Sequence, residues 1–368
     1  MQDKQQKTSQ NTKIMPDKTR IIIGTFWIFS FVILCLVALH RFLTYKKPET
    51  PITPTPTTTF ISTPSPSIIT PPPPIIDIFV NVPNVPDGEL KYGGSTTWAP
   101  MYPKLESGIE KVKPNFKLEY IQPNNEPPGS NTGIQMLLNG ELDFSLSSRE
   151  LTTNEKNQGL KEIAVAIDGI AIAVNPKLNL TKEGLTLKQL KDIYTGNIKN
   201  WNEVGGPNLP IQPYSRRPSD SGTVEYFKEK VLNKESPEKN VDFVNVMFVS
   251  NTTKGVQKVN KNPGGIYFAS APEVLEQCGI KPLPIFNNDQ LVPPYESPLR
   301  KGEYCQRSRN KPDLDAFRKG SYPLTRKLYV IVKQNDPNKL QAGEAYANLL
   351  LTGEGQKIIE DAGFVRIK

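Results

Sequence analysis

The chain has 368 residues, a formal net charge of +8 and one histidine, His40. A single histidine at the end of an apolar run argues against Ser-His-Asp catalysis and against His-ligated zinc. Lys and Arg are interleaved with Glu and Asp rather than gathered into a stripe with aromatics, which describes a solvated surface and not a nucleic-acid-binding face.

Residues 1–20 carry Lys4, Lys7, Lys13, Lys18 and Arg20 and read as a cytoplasmic tail. From Ile21 to Leu39 no residue is charged, and the run is long enough to cross a bilayer. The excess of Lys and Arg ahead of it places that end in the cytoplasm and the C-terminal remainder of the chain outside. A cleaved signal peptide is the alternative. Its apolar core is usually shorter and ends in a small-x-small cleavage site, which is not convincing here, so the expectation is one retained transmembrane helix in the cytoplasmic membrane. Residues 40–86 are rich in Pro, Thr and Ser, with Pro71 to Pro74 consecutive. Such a segment buries too little apolar surface to fold and reads as a linker.

The folded part is expected over residues 87–368, where short apolar stretches alternate with helical periods, the pattern of an α/β class. Strands are expected at Leu90–Tyr92, Lys117–Ile121, Leu142–Leu146, Ile170–Val174, Ile211–Tyr214 and Leu328–Val332, and helices from near Ala99, Thr132, Leu187, Ser221, Thr252 and Asn338. In the Ser221 helix, Val224, Phe227 and Val231 recur at the spacing of one buried face. Cys278 and Cys305 lie on the expected oxidising side, compatible with a disulfide or with two separate buried thiols. Cys35, inside the apolar run, reads as a small apolar residue.

Four loops carry the chemistry. Gly93-Gly94-Ser95-Thr96-Thr97 follows a strand. Gly129-Ser130-Asn131-Thr132-Gly133 and Arg216-Arg217-Pro218-Ser219-Asp220-Ser221-Gly222-Thr223 open helices, and Ser147-Ser148-Arg149 leaves a strand. Glycine lets a ligand approach the backbone, hydroxyls add donors, and an arginine holds a tetrahedral oxyanion by parallel charge-assisted bonds. Ordinary helix capping uses the same residues singly; their repetition, without catalytic groups beside them, points to one anion held by several loops. No P-loop and no G-x-S-x-G elbow is present, and Asp143, Asp168 and Asp220 form no evident acid–base pair.

The segment Gly94-Ser95-Thr96-Thr97-Trp98-Ala99-Pro100, the run Gly129 to Gly133 followed by Asn139-Gly140-Glu141-Leu142-Asp143-Phe144, and the run Arg217 to Thr223 together resemble the phosphate-binding receptors of bacterial phosphate ABC transporters, within the type II periplasmic binding-protein superfamily. Tyr194 to Glu203 and Gly355 to Val365 resemble further segments of that family. The resemblance implies a two-lobed fold, with lobe one at about 87–167 and 322–368 and lobe two at about 168–321. It implies a ligand site of Thr96, Thr97, Ser130, Ser148, Arg217, Ser221, Gly222 and Thr223. It also implies inorganic phosphate or a similar oxyanion as ligand, an ABC permease as partner, and no metal, cofactor or catalysis. Where many family members place an aspartate, this chain has Ser148, whose hydroxyl both donates and accepts. A sensory or structural ectodomain on the same fold is the alternative function.

Overall fold

The computed structural model describes residues 77–232 and 242–367; the expected membrane span at 21–39 and the Pro-rich run up to residue 76 lie outside them. No helix among the described residues is long and apolar enough to cross a membrane.

A mixed sheet runs through two lobes. In the first, β1 (Gly88–Gly94) lies between parallel β2 (Phe116–Tyr120) and β3 (Phe144–Ser147). Parallel neighbours need crossovers, supplied by α1 (Tyr102–Val112) and α2 (Ser130–Leu138). α1 begins three residues beyond the expected Ala99. Thr96–Trp98 forms a 3-10 turn first, and Pro103, which suits a first turn, sets the start of the helix. Tyr92, Phe144 and Tyr346 stack in the core of this lobe, with Tyr346–Phe144 centroids 4.7 Å apart.

The strand that joins the lobes is β4 (Leu160–Val174), apolar over nearly all of its second half and buried throughout it. Residues 160–169 pair with the late strand Thr325–Lys333, whereas Ile170–Val174 pair with Gly265–Ser270 of the second lobe. The chain returns beside it, where the Ile170 amide donates to Leu324 O at 2.8 Å. Two adjacent segments, at Gly169–Ile170 and Leu324–Thr325, therefore connect the lobes. Gly169 is required there, since a Cβ would sit 2.3 Å from the Phe317 ring.

The second lobe contains β5 (Gln212–Ser215) parallel to β6 (Gly265–Ser270), with α3 (Gly222–Phe227) and α4 (Thr252–Lys261) packed on them. Phe227 and Phe268 stack at 3.8 Å in its core, beside the buried Trp201. β7 (Thr325–Lys333), α5 (Pro337–Leu350) and α6 (Gly353–Asp361) complete the first lobe.

Folded structure starts ahead of Asp87. Phe79 and Val82 are buried in the first lobe, and the Phe79 amide donates to Glu354 at 2.9 Å. Lys113 Nζ donates to the carbonyls of Val80 and Val82. Composition assigned these residues to the linker because isolated Phe and Val among prolines give no period. Cys278 and Cys305 are disulfide-bonded, with Cα atoms 5.7 Å apart, which ties the helix Gly302–Arg307 to the end of the Ala271–Leu275 helix.

Candidate functional site

All four hydroxyl-rich loops meet where the lobes face each other. The loop after β1 is held by its neighbour: the Ser95 amide donates to Leu146 O at 2.8 Å, and Trp98 Nε1 donates to Ser147 O at 3.4 Å. That fixes Thr96 and Thr97 at the cleft. Ser148 stands at the centre of a hydroxyl cluster. Its Oγ lies 3.0 Å from Ser95 Oγ and 3.1 Å from Ser130 Oγ, and its amide donates to Ser130 Oγ. From the other lobe, Gly222 presses onto this cluster. A Cβ there would lie 2.4 Å from Ser130 Oγ and 2.8 Å from Ser148 Oγ, so only glycine permits this approach.

Behind the loops lies a buried ion pair. Asp168 and Arg326 are directly opposite on β4 and β7, and both are buried. Arg326 donates to Asp168 Oδ2 from Nε at 3.1 Å and from Nη2 at 2.9 Å. Its remaining edge reaches Ser148 O at 3.1 Å, Thr97 Oγ1 at 3.1 Å and Thr223 Oγ1 at 2.8 Å. One guanidinium therefore links three site loops to the connecting strands. Ser270 donates to Asp168 Oδ1 at 2.6 Å. Burial pushes the Asp168 carboxyl up from its ordinary value, opposed by Arg326 and Ser270.

A second arginine comes from the loop after β5. Arg216 is buried and bridges the lobes, donating from Nη1 to Thr96 Oγ1 and from Nη2 to Pro128 O, both at 3.1 Å. Arg217, expected at the ligand, is exposed. Pro218 holds residue 217 in extended backbone (φ −70°, ψ 145°), where successive side chains point to opposite sides. Arg216 takes the inward side.

Thr96, Thr97, Ser221 and Thr223 line a tight cavity of about 10 Å³, roughly the room of one water, together with Arg216, Thr252, Tyr267 and Glu273. Ser130, Ser148 and Gly222 form the lobe contact beside it rather than its wall. Ser221 starts α3 without a side-chain bond to the helix's first turn, unlike an ordinary N-cap. Thr96, Thr97 and Thr223 each accept from an arginine. A hydroxyl that accepts in this way keeps its own proton to give. The cavity wall is thus rich in oriented donors, the arrangement that suits an oxyanion.

Residues 81–354 match the family model of a PBP superfamily domain. The chain is 33% identical over 291 residues to the phosphate-binding protein PstS of Staphylococcus haemolyticus, spanning 76% of this chain and 81% of that one. It belongs to this family of phosphate-binding receptors. Among solved structures it is similar to a putative phosphate ABC transporter substrate-binding protein with bound phosphate from Clostridium perfringens, with a TM-score of 0.61 and 26% identity, covering 76% of this chain and 100% of that one. It is also similar to an ABC-type phosphate transport receptor from Vibrio cholerae, with a TM-score of 0.56 and 25% identity, covering 75% and 99%.

Of the residues at this candidate site, sequence reasoning missed Arg326, Asp168, Thr252 and Glu273, and it chose Arg217 over the neighbouring Arg216. A signal existed for Asp168, a lone carboxylate inside the apolar run Ile163–Val174, because a charge placed there has to find a partner. Glu273 is half-buried at the cavity. Burial, with the charge of Asp168 adding to it, pushes its carboxyl up to about 7, against the opposing effects of Thr252, Arg216 and Arg326.

Glu273 yields a pH prediction. Its value in the fold lies above the ordinary 4.5, so its contribution to stability is complete below pH 4.5 and is lost as pH rises towards about 7. The Glu273→Gln variant lacks this loss. Its Tm relative to the parent, read by calorimetry, is expected to climb between pH 4.5 and 7 and to level off above. A difference independent of pH would contradict the assignment.

Proposed function

We propose that this chain is a receptor that binds inorganic phosphate outside the cytoplasmic membrane and delivers it to an ABC permease. The helix at 21–39 would tether it there, and the linker would keep the receptor concentrated near the permease. The observation that carries the proposal is convergence. Thr96, Thr97, Ser221, Thr223 and Arg216 line one small cavity between the lobes of a chain from the phosphate-binding family.

In this mechanism the lobes close on phosphate about the paired segments at Gly169–Ile170 and Leu324–Thr325. Arg216 supplies the charge that faces the ligand. Arg326 acts from behind, its own charge balanced by Asp168, and orients the Thr97 and Thr223 hydroxyls. The magnitudes are adequate. Micromolar affinity requires about 8 kcal/mol, and hydrogen bonds to charged groups are worth about 1.5–3 kcal/mol each. Five such bonds suffice even after the cost of closure. Two oxygens of phosphate would displace Thr96 Oγ1 and Pro128 O as acceptors for Arg216.

Titration calorimetry of the full-length protein with phosphate, sulfate and molybdate tests the reading, and absence of heat with all three would overturn it. Arg216→Ala is expected to weaken phosphate binding at least tenfold, about 1.4 kcal/mol, whereas Arg217→Ala stays within about twofold because the side chain is exposed. The reverse ranking would assign the ligand contact to Arg217.

A further inference from the structure

Arg149 adjoins Ser148 at the cleft, yet its guanidinium is committed elsewhere. Nη1 and Nη2 donate to the two carboxylate oxygens of Glu155 at 2.9 and 2.7 Å, and Nη1 also reaches Glu150 O at 2.7 Å. Glu155 is itself fixed by a reciprocal cap with Thr152. All these groups belong to the first lobe, so Arg149 is held in place whether or not the lobes meet. Its Nε hydrogen goes to Asn131 in its own lobe, and Glu225 of the second lobe is met as an ion pair. Nε lies 2.6 Å from Glu225 Oε2, and Asn131 Nδ2 donates to Glu225 Oε1 at 2.7 Å. Asn131 in turn accepts from Arg149 Nε at 2.7 Å. Arg149 and Glu155 are nearly buried, and the Glu225 side chain is 34% exposed.

We propose that Arg149 and Asn131 form a latch that grips Glu225 only when the lobes are closed, and that this latch sets how long the ligand stays. The inference rests on the phosphate-binding reading of the same cleft. Glu225 lies one helical turn beyond Gly222, on the helix whose start carries Ser221 and Thr223 of the cavity, and brings a negative charge to the lobe contact. Closure brings Arg149 against it and cancels that charge, which gives the closed form an interaction that the open form lacks. An interaction made only in the closed form slows opening, and its loss appears in the dissociation rate. Arg149 and Glu225 are accordingly positioning residues, not ligand contacts.

The test is Glu225→Gln in the full-length protein. The substitution keeps size, exchanges one acceptor oxygen for an amide donor and alters a partly exposed side chain, so the fold is retained. Phosphate release, followed by rapid mixing with a phosphate trap, is expected to speed up about tenfold while association is not slowed. Raising ionic strength should quicken release from the parent more than from the variant. Release within twofold of the parent would overturn the latch. Backbone amide exchange of Gly222–Phe227 in phosphate-saturated protein gives an independent readout. It should quicken in the variant, and unchanged exchange also counts against the latch. If the parent binds no phosphate, the proposed function fails; if it binds phosphate and the variant releases it at the parent's rate, the latch alone fails.

Discussion

The Asp168–Arg326 pair is the interaction on which the cleft depends. It sits across the two strands that connect the lobes, at the residue pair just before β4 leaves one lobe for the other. A buried ion pair is a poor source of stability in itself, because desolvation offsets most of the attraction. Its value here is geometric. Arg326 needs more acceptors than Asp168 supplies, and the ones it finds are Ser148 O, Thr97 Oγ1 and Thr223 Oγ1. The requirement that a buried charge be fully hydrogen-bonded thereby fixes three loops from distant parts of the chain.

On the proposed reading, this arrangement lets a site with few charges hold an anion. Arg326 is neutralised by Asp168 and acts through the hydroxyls that it orients. Arg216 is the cation at the cavity wall, and it touches both lobes. Gly222 lets the second lobe approach the Ser130–Ser148 cluster closely enough to shut the cavity. The serine at 148 places no carboxylate in that cluster. The acidic group at the cavity is instead Glu273, which comes from the helix after β6.

Much of this was legible in the sequence because it is written locally. Alternating apolar stretches and helical periods gave the α/β class, and glycine–hydroxyl runs marked the loops that do converge. What escaped depends on tertiary register. Asp168 and Arg326 are 158 residues apart, and nothing local says that β4 and β7 pair with those two residues opposite. The choice between Arg216 and Arg217 has the same origin. Pro218 sends the two side chains to opposite sides, but which side faces the cleft is decided by the first lobe, which supplies Thr96 and Pro128. Residues 77–86 were hidden by their composition, since burial of Phe79 needs α1 and the start of α6 as a receiving surface.

A crystal structure of the full-length protein grown with phosphate tests the central claim most directly. The account predicts one phosphate between the lobes, hydrogen-bonded to Arg216, Thr96 and Ser221, with Arg326 still paired to Asp168 and not in contact with the ligand. Phosphate bound outside this cavity, or Arg326 released from Asp168 to grip it, would contradict the account.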